Sequence, residues 1–426
     1  MNFSRNQIII IGLFLIIVIF GLIFYFGRRP APLPQIELTI WGVEPEKNFD
    51  ELFKTYKQLR PNVKINYEQI NSNDYRQKLI DALASGYGPD IFMIKSKSLL
   101  QDISKIYPVL DNQFNLSQFK SIFPQVVEDD FVYNGKIYAL PLYIDSLVLF
   151  YNQDYFNKAQ LIYPPKTWDE FVEYAKKLTI FDLNNSIAQA GAALGASQKN
   201  VVYANDILKL LMKQAGIPIF NVSKFDLGLK DKNSISEQIL NFYLSFSDSK
   251  TSNYTWPRNF DNSINAFASG KVAMIFAYQK DIDEILKRNP YLNFKIAPVP
   301  QFKNASINYA YADYWALTVS NQSKNPTWAW DFIIYSTTYD ALNQKYLTNS
   351  KKPPATKSQI AKYISDLNLG VFASQALISR SWQEPNIENF NKILNNIIED
   401  ILNNKINVSD GLRLIEEQSN QLIKNY

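Results

Sequence analysis

The sequence predicts an α/β protein with two lobes, preceded by one hydrophobic helix. Segments with the alternation of a strand recur between segments with the spacing of a helix, which is the pattern of an α/β sheet. The chain has 426 residues, more than one ordinary core accommodates, and hydrophobic residues make up 46% of it, enough for two cores. A long apolar run stands before the first predicted strand.

The apolar run covers residues 8–26 and is broken by only two glycines. As a helix rising about 1.5 Å per residue it spans the roughly 30 Å of a bilayer core. It ends in Arg28 and Arg29 without the small residues of a cleavage site, and the chain has no cysteine to carry a lipid. We therefore expect residues 1–29 to be a short tip and an uncleaved signal anchor, followed by a proline-rich spacer over 30–35. Arg5 and the amino terminus on one side balance Arg28 and Arg29 on the other, so charge leaves the orientation open.

The composition excludes several classes of function. Cysteine and histidine are both absent from the sequence, which removes thiol nucleophiles, disulfides, Cys/His zinc sites and imidazole acid–base catalysis. The sequence also contains no Walker loop, no G-x-S-x-G elbow and no dinucleotide-binding glycine pattern. The net charge of +4 is spread along the chain without a basic face. We therefore predict no cofactor, no metal, no catalytic residues and no nucleic-acid partner.

The first lobe begins with a βαβ unit. Residues 36–40 alternate as a half-buried strand does, residues 49–59 carry apolar side chains at helical spacing, and residues 63–67 alternate again. A second helix is predicted over 74–85. The continuous apolar run at 91–94 is typical of a parallel strand that is buried on both faces.

A block from residue 134 to residue 171 contains the sharpest local signals. Asn134 and Gly135 form a turn, residues 147–151 are a buried strand, and Thr167 and Glu170 have the spacing of a capping box at the start of a helix. Helices and strands continue to alternate beyond it. The further predicted helices are 168–178, 206–214, 236–246, 262–269, 281–288, 327–336 and a helical C-terminus from 387, and the strands are 272–276, 294–299 and 316–319.

This block, NGKIYALPLYIDSLVLFYN followed by PPKTWDEF, resembles the extracellular solute-binding proteins of ABC importers, of the sugar and maltodextrin-binding type (family 1). The resemblance extends over nearly all of residues 36–426. It is carried by three more blocks in the same order, which are YRQKLIDALASGYGPDIFMI at 75–94, INAFASGKVAMIF at 264–276 and NPTWAWDFIIYST at 325–337.

The resemblance implies a two-lobed periplasmic-binding-protein-like fold (type II), whose discontinuous lobes are joined by hinge segments. It places the first lobe at 36–143 plus 302–338 and the second at 147–298 plus 340–426, with crossings near 143–146, 299–302 and Tyr339. It also implies a monomer that serves the permease subunits of an ABC transporter. The folded part is then on the extracytoplasmic side of the cell membrane, held by a single-pass helix, and residues 1–29 form a cytoplasmic tip and the membrane anchor.

In such a fold the ligand cleft is lined by loops at the C-terminal ends of strands. Trp41, Glu44 and Glu46 follow the first strand, and Lys95 and Ser96 follow the strand at 91–94. We expect these five residues to contact ligand. Solvated loop charges are the alternative for the two glutamates, and core packing is the alternative for the tryptophan.

Asp145 is the strongest single candidate. It lies in an apolar stretch, where an unpaired buried carboxylate costs several kcal/mol, and sugar hydroxyls supply the hydrogen bonds that offset this cost. The resemblance implies that an acidic residue at this position binds sugar, and a structural hinge contact is the alternative. Tyr143, two residues earlier, points to the same side of an extended segment.

Four aromatic residues at strand ends or in polar loops are candidate sugar platforms, since an indole or phenol face matches the apolar face of a pyranose ring. They are Trp256, Tyr278, Trp315 and Trp382, each with core packing as its alternative. Asp313 lies two residues before Trp315 and offers further acceptors. The maltodextrin-binding pattern places a tryptophan where this chain has Tyr278, Gln279 and Lys280, which leaves the identity of the sugar open.

The sequence thus predicts a receptor that binds a small solute, a sugar or an oligosaccharide, without altering it. Two alternatives stay open. One is a binder of a peptide, a polyamine or a phosphorylated solute on the same fold. The other is a tethered glycosidase, which needs two carboxylates about 5 to 10 Å apart across the cleft.

Overall fold

The computed structural model describes residues 4–27, 34–218, 220–221, 224–229, 234–384 and 386–424. The strands are β1 (Ile36–Gly42), β2 (Val63–Gln69), β3 (Ile91–Lys95), β4 (Ile106–Tyr107), β5 (Val132–Tyr133), β6 (Lys136–Ile137), β7 (Leu140–Pro141), β8 (Val148–Asn152), β9 (Ile180–Phe181), β10 (Ile187–Ala192), β11 (Phe220–Asn221), β12 (Lys224–Phe225), β13 (Val272–Ala277), β14 (Phe294–Ala297), β15 (Ala310–Tyr311), β16 (Trp315–Ser320) and β17 (Ser379–Arg380).

The helices alternate with these strands along most of the chain. They are α1 (Arg5–Gly27), α2 (Asp50–Leu59), α3 (Ser72–Ala84), α4 (Leu99–Asp102), α5 (Leu116–Ile122), α6 (Gln125–Phe131), α7 (Gln153–Lys158), α8 (Trp168–Leu178), α9 (Ala204–Gln214), α10 (Ile235–Ser245), α11 (Ser263–Ala268), α12 (Ile282–Arg288), α13 (Pro326–Thr338), α14 (Asp340–Ser350), α15 (Lys357–Tyr363), α16 (Gly370–Ile378), α17 (Ile387–Leu402) and α18 (Val408–Lys424). Short 3-10 helices occupy Glu46–Asn48, Ile103–Lys105 and Gln279–Asp281.

The first lobe is built on a mixed sheet with the strand order β2-β1-β3-β16-β4, and β7 also pairs with β16. β1 runs parallel to β2 and β3, whereas β16 returns antiparallel to β3. The first four residues of β3 are buried, as expected for an apolar run covered on both faces. This arrangement brings the C-terminal end of β3 and the N-terminal end of β16 to the same edge of the sheet.

The second lobe is built on a second sheet with the order β14-β8-β13-β10-β9. β10 and β13 are parallel, and β8 pairs antiparallel with both β13 and β14. α8 begins where the sequence predicts it, because the Thr167 hydroxyl accepts from the Glu170 backbone N–H and the Glu170 carboxylate accepts from the Thr167 N–H, each at 3.2 Å. Each sheet carries its own hydrophobic core, so the α/β two-lobed prediction is confirmed.

Three segments cross between the lobes and lie side by side. At the first, Ile144 belongs to the first core and Leu147 to the second. At the second, Tyr311 belongs to the second core and Ala312 to the first. The two are joined by the backbone hydrogen bond from Leu147 N–H to Tyr311 O, 2.8 Å. The third crossing follows α16, and its strand β17 pairs with β15.

The second and third crossings differ from the expected boundaries. The chain remains with the second lobe beyond 299–302, because the Gln301 side chain and the Tyr309 backbone hydrogen-bond each other in both directions. The chain does not leave the first lobe at Tyr339 either. Leu342 and Tyr346 on α14 are buried in the first core, where Tyr346 contacts Phe49 at a ring-centroid distance of 5.1 Å. Residues 302–311 thus pack with the second lobe, and most of 340–376 packs with the first.

The N-terminal run is a single helix, α1. Among the helices of the described residues it is the one long and apolar enough to cross a membrane, and its stretch Arg5–Leu22 buries nothing against the lobes. The predicted spacer over 30–35 lies mostly outside the described residues, as do residues 1–3 and 28–29.

Candidate ligand-binding cleft

A cleft of ≈ 550 Å³ lies between the two lobes, beside the crossing segments. This volume is within the range of small-molecule sites, about 300–1,000 Å³. Its walls come from both lobes: α3 and the ends of β1, β3 and β16 on one side, and Lys280 with the start of α17 on the other. The cleft is lined by Val43, Glu44, Ser72, Asn73, Tyr75, Arg76, Leu79, Met93, Ile94, Lys95, Ser98, Gln101, Asp102, Tyr143, Asp145, Lys280, Asp313, Trp315, Lys352, Ile387, Glu388 and Asn391.

Half of the predicted site residues meet in this cleft. They are Glu44, Lys95, Tyr143, Asp145, Asp313 and Trp315. Lys95 and Trp315 are direct neighbours across the antiparallel pair of β3 and β16. The rule that strand ends line the cleft therefore works best where two strand ends coincide.

Three predicted residues of the first lobe do not line the cleft. Trp41 packs against the first core. Glu46 is exposed at the start of the 3-10 helix Glu46–Asn48. Ser96 is fully buried, and its hydroxyl accepts from the backbone N–H of Tyr314 at 3.3 Å.

Three predicted aromatic residues pack in the second core. Core packing was the alternative to a sugar contact for each of them. Trp256 is fully buried and packs edge-on against Phe260. Tyr278 is fully buried, and its hydroxyl donates to Asp206 at 2.9 Å. Trp382 belongs to the same core and lies outside the cleft. A sequence places an aromatic residue at a strand end but does not say which side of the strand its ring covers.

Trp315 is the half-buried aromatic residue of the cleft wall. Its ring packs edge-on against Tyr75 at 5.4 Å. The Tyr75 hydroxyl is itself held inside the lobe, donating to the carbonyls of Trp41 and Met93. Trp315 is thus supported from behind and presents an apolar surface of the kind that a sugar ring covers.

Asp145 is buried at the first crossing, and both of its oxygens are occupied. Oδ1 accepts from the backbone N–H of Gln279 at 3.0 Å and Oδ2 from that of Lys280 at 3.3 Å. Burial raises the pKa of Asp145 to about 6, although Lys352 and the Gln279 N–H act against this. The side chain thus connects the crossing strand to the second lobe, which is the structural alternative weighed against a sugar contact.

Asp313 is buried among three lysines. Lys95 Nζ lies 3.2 Å and Lys280 Nζ 3.7 Å from Oδ2, and Lys97 Nζ lies 3.1 Å from Oδ1. Burial by itself raises the pKa of Asp313, but the lysines, Lys95 first, hold it well below its usual range. The carboxylate is therefore ionised at neutral pH.

A second group of charges joins Glu44, Tyr143 and Lys352. The Tyr143 hydroxyl donates to Glu44 at 3.0 Å, and Lys352 Nζ lies 3.9 Å from the same carboxylate oxygen. Lys352 also lies over the Tyr143 ring, 5.0 Å from its centroid. Burial raises the pKa of Tyr143 well above its usual value, so the phenol stays protonated.

Sequence reasoning missed several cleft residues because each comes from an element without a strand-end signal. Arg76 extends from α3 and hydrogen-bonds Asp102 at 3.1 Å. Lys352 follows α14, in a segment that was expected in the other lobe. Glu388 and Asn391 come from α17, far along the chain. Of these missed residues, only Lys280 had a signal in the sequence, because it belongs to the stretch Tyr278, Gln279 and Lys280 where the family pattern has a tryptophan.

The cleft offers hydrogen bonds rather than a strong field of one sign. Its basic residues are Arg76, Lys95, Lys280 and Lys352, and its acidic residues are Glu44, Asp102, Asp145, Asp313 and Glu388. Most of them pair with each other inside the site. No group of three or more His, Cys, Asp or Glu side chains that suits a metal ion occurs within the part of the chain that the structure describes.

Two α/β lobes joined by crossing strands, with a polar cleft between them, define a protein that binds a small solute between its lobes. Residues 51–367 match the family of bacterial extracellular solute-binding proteins. The chain belongs to this family.

Comparison with individual proteins agrees with this assignment. A putative binding protein of Brucella abortus is 24% identical over 351 residues, which is 81% of this chain and 82% of that protein. Among solved structures, an ABC substrate-binding protein of Listeria monocytogenes in complex with cycloalternan has a TM-score of 0.72 at 20% identity, covering 92% of this chain and 99% of the other. The cyclic alpha-maltosyl-1,6-maltose binding protein of Arthrobacter globiformis has a TM-score of 0.75 at 18% identity, covering 92% and 100%.

Proposed function

We propose that this protein captures a neutral oligosaccharide in its interlobe cleft and delivers it to the permease of an ABC importer. The observation that carries the proposal is the cleft itself, because an apolar platform, Trp315, lies among paired charges that both donate and accept hydrogen bonds. Sugars need both, since each ring has an apolar face and a rim of hydroxyls. The oligosaccharides in the titles of similar structures are consistent with this ligand class.

The balance of charge favours a neutral solute over the alternatives. Four basic and five acidic side chains line the cleft, and burial raises the pKa of one of the acids, Asp145, to about 6. A polyamine or a phosphorylated solute is better served by an excess of one sign. A sugar hydroxyl accepts a hydrogen bond from the ammonium and donates one to the carboxylate of a pair such as Lys95 and Asp313, so neither charge is left unpaired.

Binding acts through closure of the lobes. A solute held by Trp315 in the first lobe and by Lys280 in the second makes more contacts when the lobes approach each other, so it stabilises the closed form by that difference. A micromolar dissociation constant corresponds to about 8 kcal/mol of binding free energy. Only the part of it that comes from contacts made in the closed form alone shifts the equilibrium.

A glycosidase is disfavoured by the state of Asp145 and Asp313, the two cleft carboxylates beside the first and second crossings. Asp145 is 1% exposed and both of its oxygens accept backbone N–H groups, so it is not free to protonate a glycosidic oxygen. Asp313 is ionised and surrounded by ammonium groups. We propose that the solute leaves the protein unaltered.

The helix α1 is the proposed anchor, and no cofactor or metal is part of the proposal. We place the lobes on the extracytoplasmic side of the cell membrane as a monomer. Carbonate extraction of membranes separates anchored from peripheral protein. Release of the full chain into the soluble fraction would contradict the anchor and leave the binding proposal intact.

The ligand class is tested by thermal unfolding of the full chain in detergent. Maltotriose, mannotriose and cyclic maltodextrins are compared with spermidine, a tripeptide and glycerol 3-phosphate. A ligand present at 100 times its dissociation constant adds about 2.7 kcal/mol to the stability of the native state and raises the melting temperature. A rise with spermidine, peptide or phosphate and none with any sugar would overturn the sugar assignment.

A further inference from the structure

Two crossing strands each place a carboxylate against the same turn of the second lobe. Asp145 and Asp313 lie side by side, joined by the hydrogen bond from the Asp313 N–H to the Asp145 carbonyl, 2.9 Å. Asp145 accepts the backbone N–H groups of Gln279 and Lys280, and Asp313 lies 3.7 Å from the Lys280 ammonium. The first crossing, through Asp145, therefore holds the backbone of Gln279 and Lys280, and the second crossing, through Asp313, holds the side chain of Lys280.

Asp313 also holds the first lobe. Lys95 is the last residue of β3 and Lys97 follows the strand, and both ammonium groups are within 3.2 Å of the Asp313 carboxylate. Lys97 takes a φ of +75°, a left-handed conformation that costs a residue with a Cβ about 1 kcal/mol or more. Its side chain is 3% exposed, and its ammonium donates to the Tyr311 hydroxyl at 3.2 Å. One carboxylate thus neutralises lysines of both lobes.

We propose that Asp313 is a positioning residue that sets the angle between the lobes of the ligand-free protein and directs Lys95 and Lys280 into the cleft from opposite sides. The inference deepens the proposed function, because it assigns the regulation of closure to a residue beside the solute. Asp313 then acts on the ligand through the two lysines.

The negative charge of Asp313 offsets the charges of the three lysines around it. Without the carboxylate, three ammonium groups face one another in a partly buried site, where like charges repel more strongly than in water. The second-lobe lysine is the most exposed of the three, with a side chain 43% exposed. We therefore expect loss of Asp313 to move the second lobe away from the first.

The absence of cysteine from the sequence makes this movement easy to measure. Spin labels are attached to cysteines introduced at the exposed positions Lys54 on α2 and Lys287 on α12, one per lobe, in the full chain in detergent. Pulsed electron paramagnetic resonance then gives the distribution of distances between the labels. In the ligand-free protein, Asp313→Asn should lengthen the mean distance and broaden the distribution.

Three further variants keep the result interpretable. Lys280→Met removes only the second-lobe partner at a part-exposed position, so the protein remains folded, and it should lengthen the distance as well. The double variant should show no more than the larger single effect, because both changes break one contact. Asp331→Asn is the matched control, since that carboxylate pairs with Arg60 within the first lobe and should leave the distance unchanged. Distributions of both cleft variants that superimpose on the parent would overturn the proposal.

Affinity provides the second readout, using whichever sugar raises the melting temperature of the parent protein. Asp313→Asn should weaken binding about tenfold, a typical coupling between a conformational equilibrium and a ligand, mainly through faster dissociation. If no sugar binds the parent protein, the proposed function fails while the distance measurement still decides the role of Asp313. If sugar binds and the distance does not respond, the inference about Asp313 fails alone.

Discussion

A buried ion pair next to the third crossing offers the sharpest test of how the second lobe is stabilised. Lys209 on α9 and Glu384 after β17 are 3% and 2% exposed, with Nζ and Oε1 2.5 Å apart. Lys209 also lies over the Phe390 ring at 5.1 Å. The Glu384 backbone N–H donates to the carbonyl of Lys97 in the first lobe at 2.9 Å. The pair therefore anchors the crossing segment to the second core.

Lys209→Met retains the length of the side chain and removes its charge. Glu384 is then a buried carboxylate without a cation, and breaking a buried pair from one side costs about 3–5 kcal/mol. That is a large part of the roughly 5–15 kcal/mol by which a domain is stable. The double variant Lys209→Met/Glu384→Gln removes both charges, and we expect it to recover at least half of the loss, since neutral replacements of buried pairs are often tolerated.

The measurement is urea unfolding at pH 7, monitored by tryptophan fluorescence. The change in the midpoint is converted into a change in the free energy of unfolding, provided that the dependence on urea concentration has the same slope in both proteins. Lys54→Met is the control, because Lys54 pairs with Glu51 at 3.6 Å on an exposed helix face and should cost less than about 1 kcal/mol. A loss below about 1 kcal/mol for Lys209→Met, or a double variant as unstable as the sum of both single variants, would refute the reasoning.

Three further predictions concern the cleft and the cores. Trp315→Ala should weaken sugar binding by about 2 kcal/mol, or about thirtyfold, in isothermal titration calorimetry, and an unchanged affinity would exclude Trp315 as a platform. Burial raises the pKa of Asp130 to about 7 and that of Asp145 to about 6, so the folded state binds more protons than the unfolded state above pH 4. The free energy of unfolding should therefore fall as the pH rises from 4 to 7, and Asp130→Asn should flatten this slope in urea titrations at several pH values; a slope that is unaltered would contradict the assignment. Gly191→Ala should cost more than about 3 kcal/mol, because its Cβ would lie 1.8 Å from the backbone oxygen of Ala175, and a normal urea midpoint would show that α8 and β10 separate easily.

The sequence predicts the architecture well because periodicity and caps are local. The helix α8 begins at Trp168 as its capping residues indicate, and the buried strand at 91–94 is β3. The first crossing is also where the block around Asp145 predicts it. Each of these features is decided by residues within one turn or one strand, so a single sequence is sufficient to find it.

The later crossings were misplaced because they depend on contacts between distant segments. Proline residues near 299–302 end a strand, yet Gln301 continues to bond within the second lobe. Tyr339 separates two helices, yet Tyr346 returns to the core formed by Phe49. No local pattern reports which of two cores will accept a given helix, since the apolar face of the helix suits either.

The same distinction between local patterns and contacts of distant segments applies to the residues of the cleft. The strand ends that predict Lys95 and Trp315 are visible in a sequence. The ion pairs of Lys280 with Asp313 and of Lys352 with Glu44 instead join residues from tens to hundreds of positions apart, so neither lysine was predicted as a contact. Asp145 and Asp313 were expected to bind solute, and the structure shows their oxygens engaged with the second lobe and with lysines. If Asp313 sets the angle between the lobes as proposed, a variant there changes this angle as well as the polarity of the cleft, and affinity alone does not separate the two effects. A variant that only removes a contact with the solute lowers the affinity and leaves the distance between the spin labels unchanged. A variant that changes the lobe angle alters both the affinity and this distance. The affinity and the label distance, measured together, therefore assign each carboxylate its role.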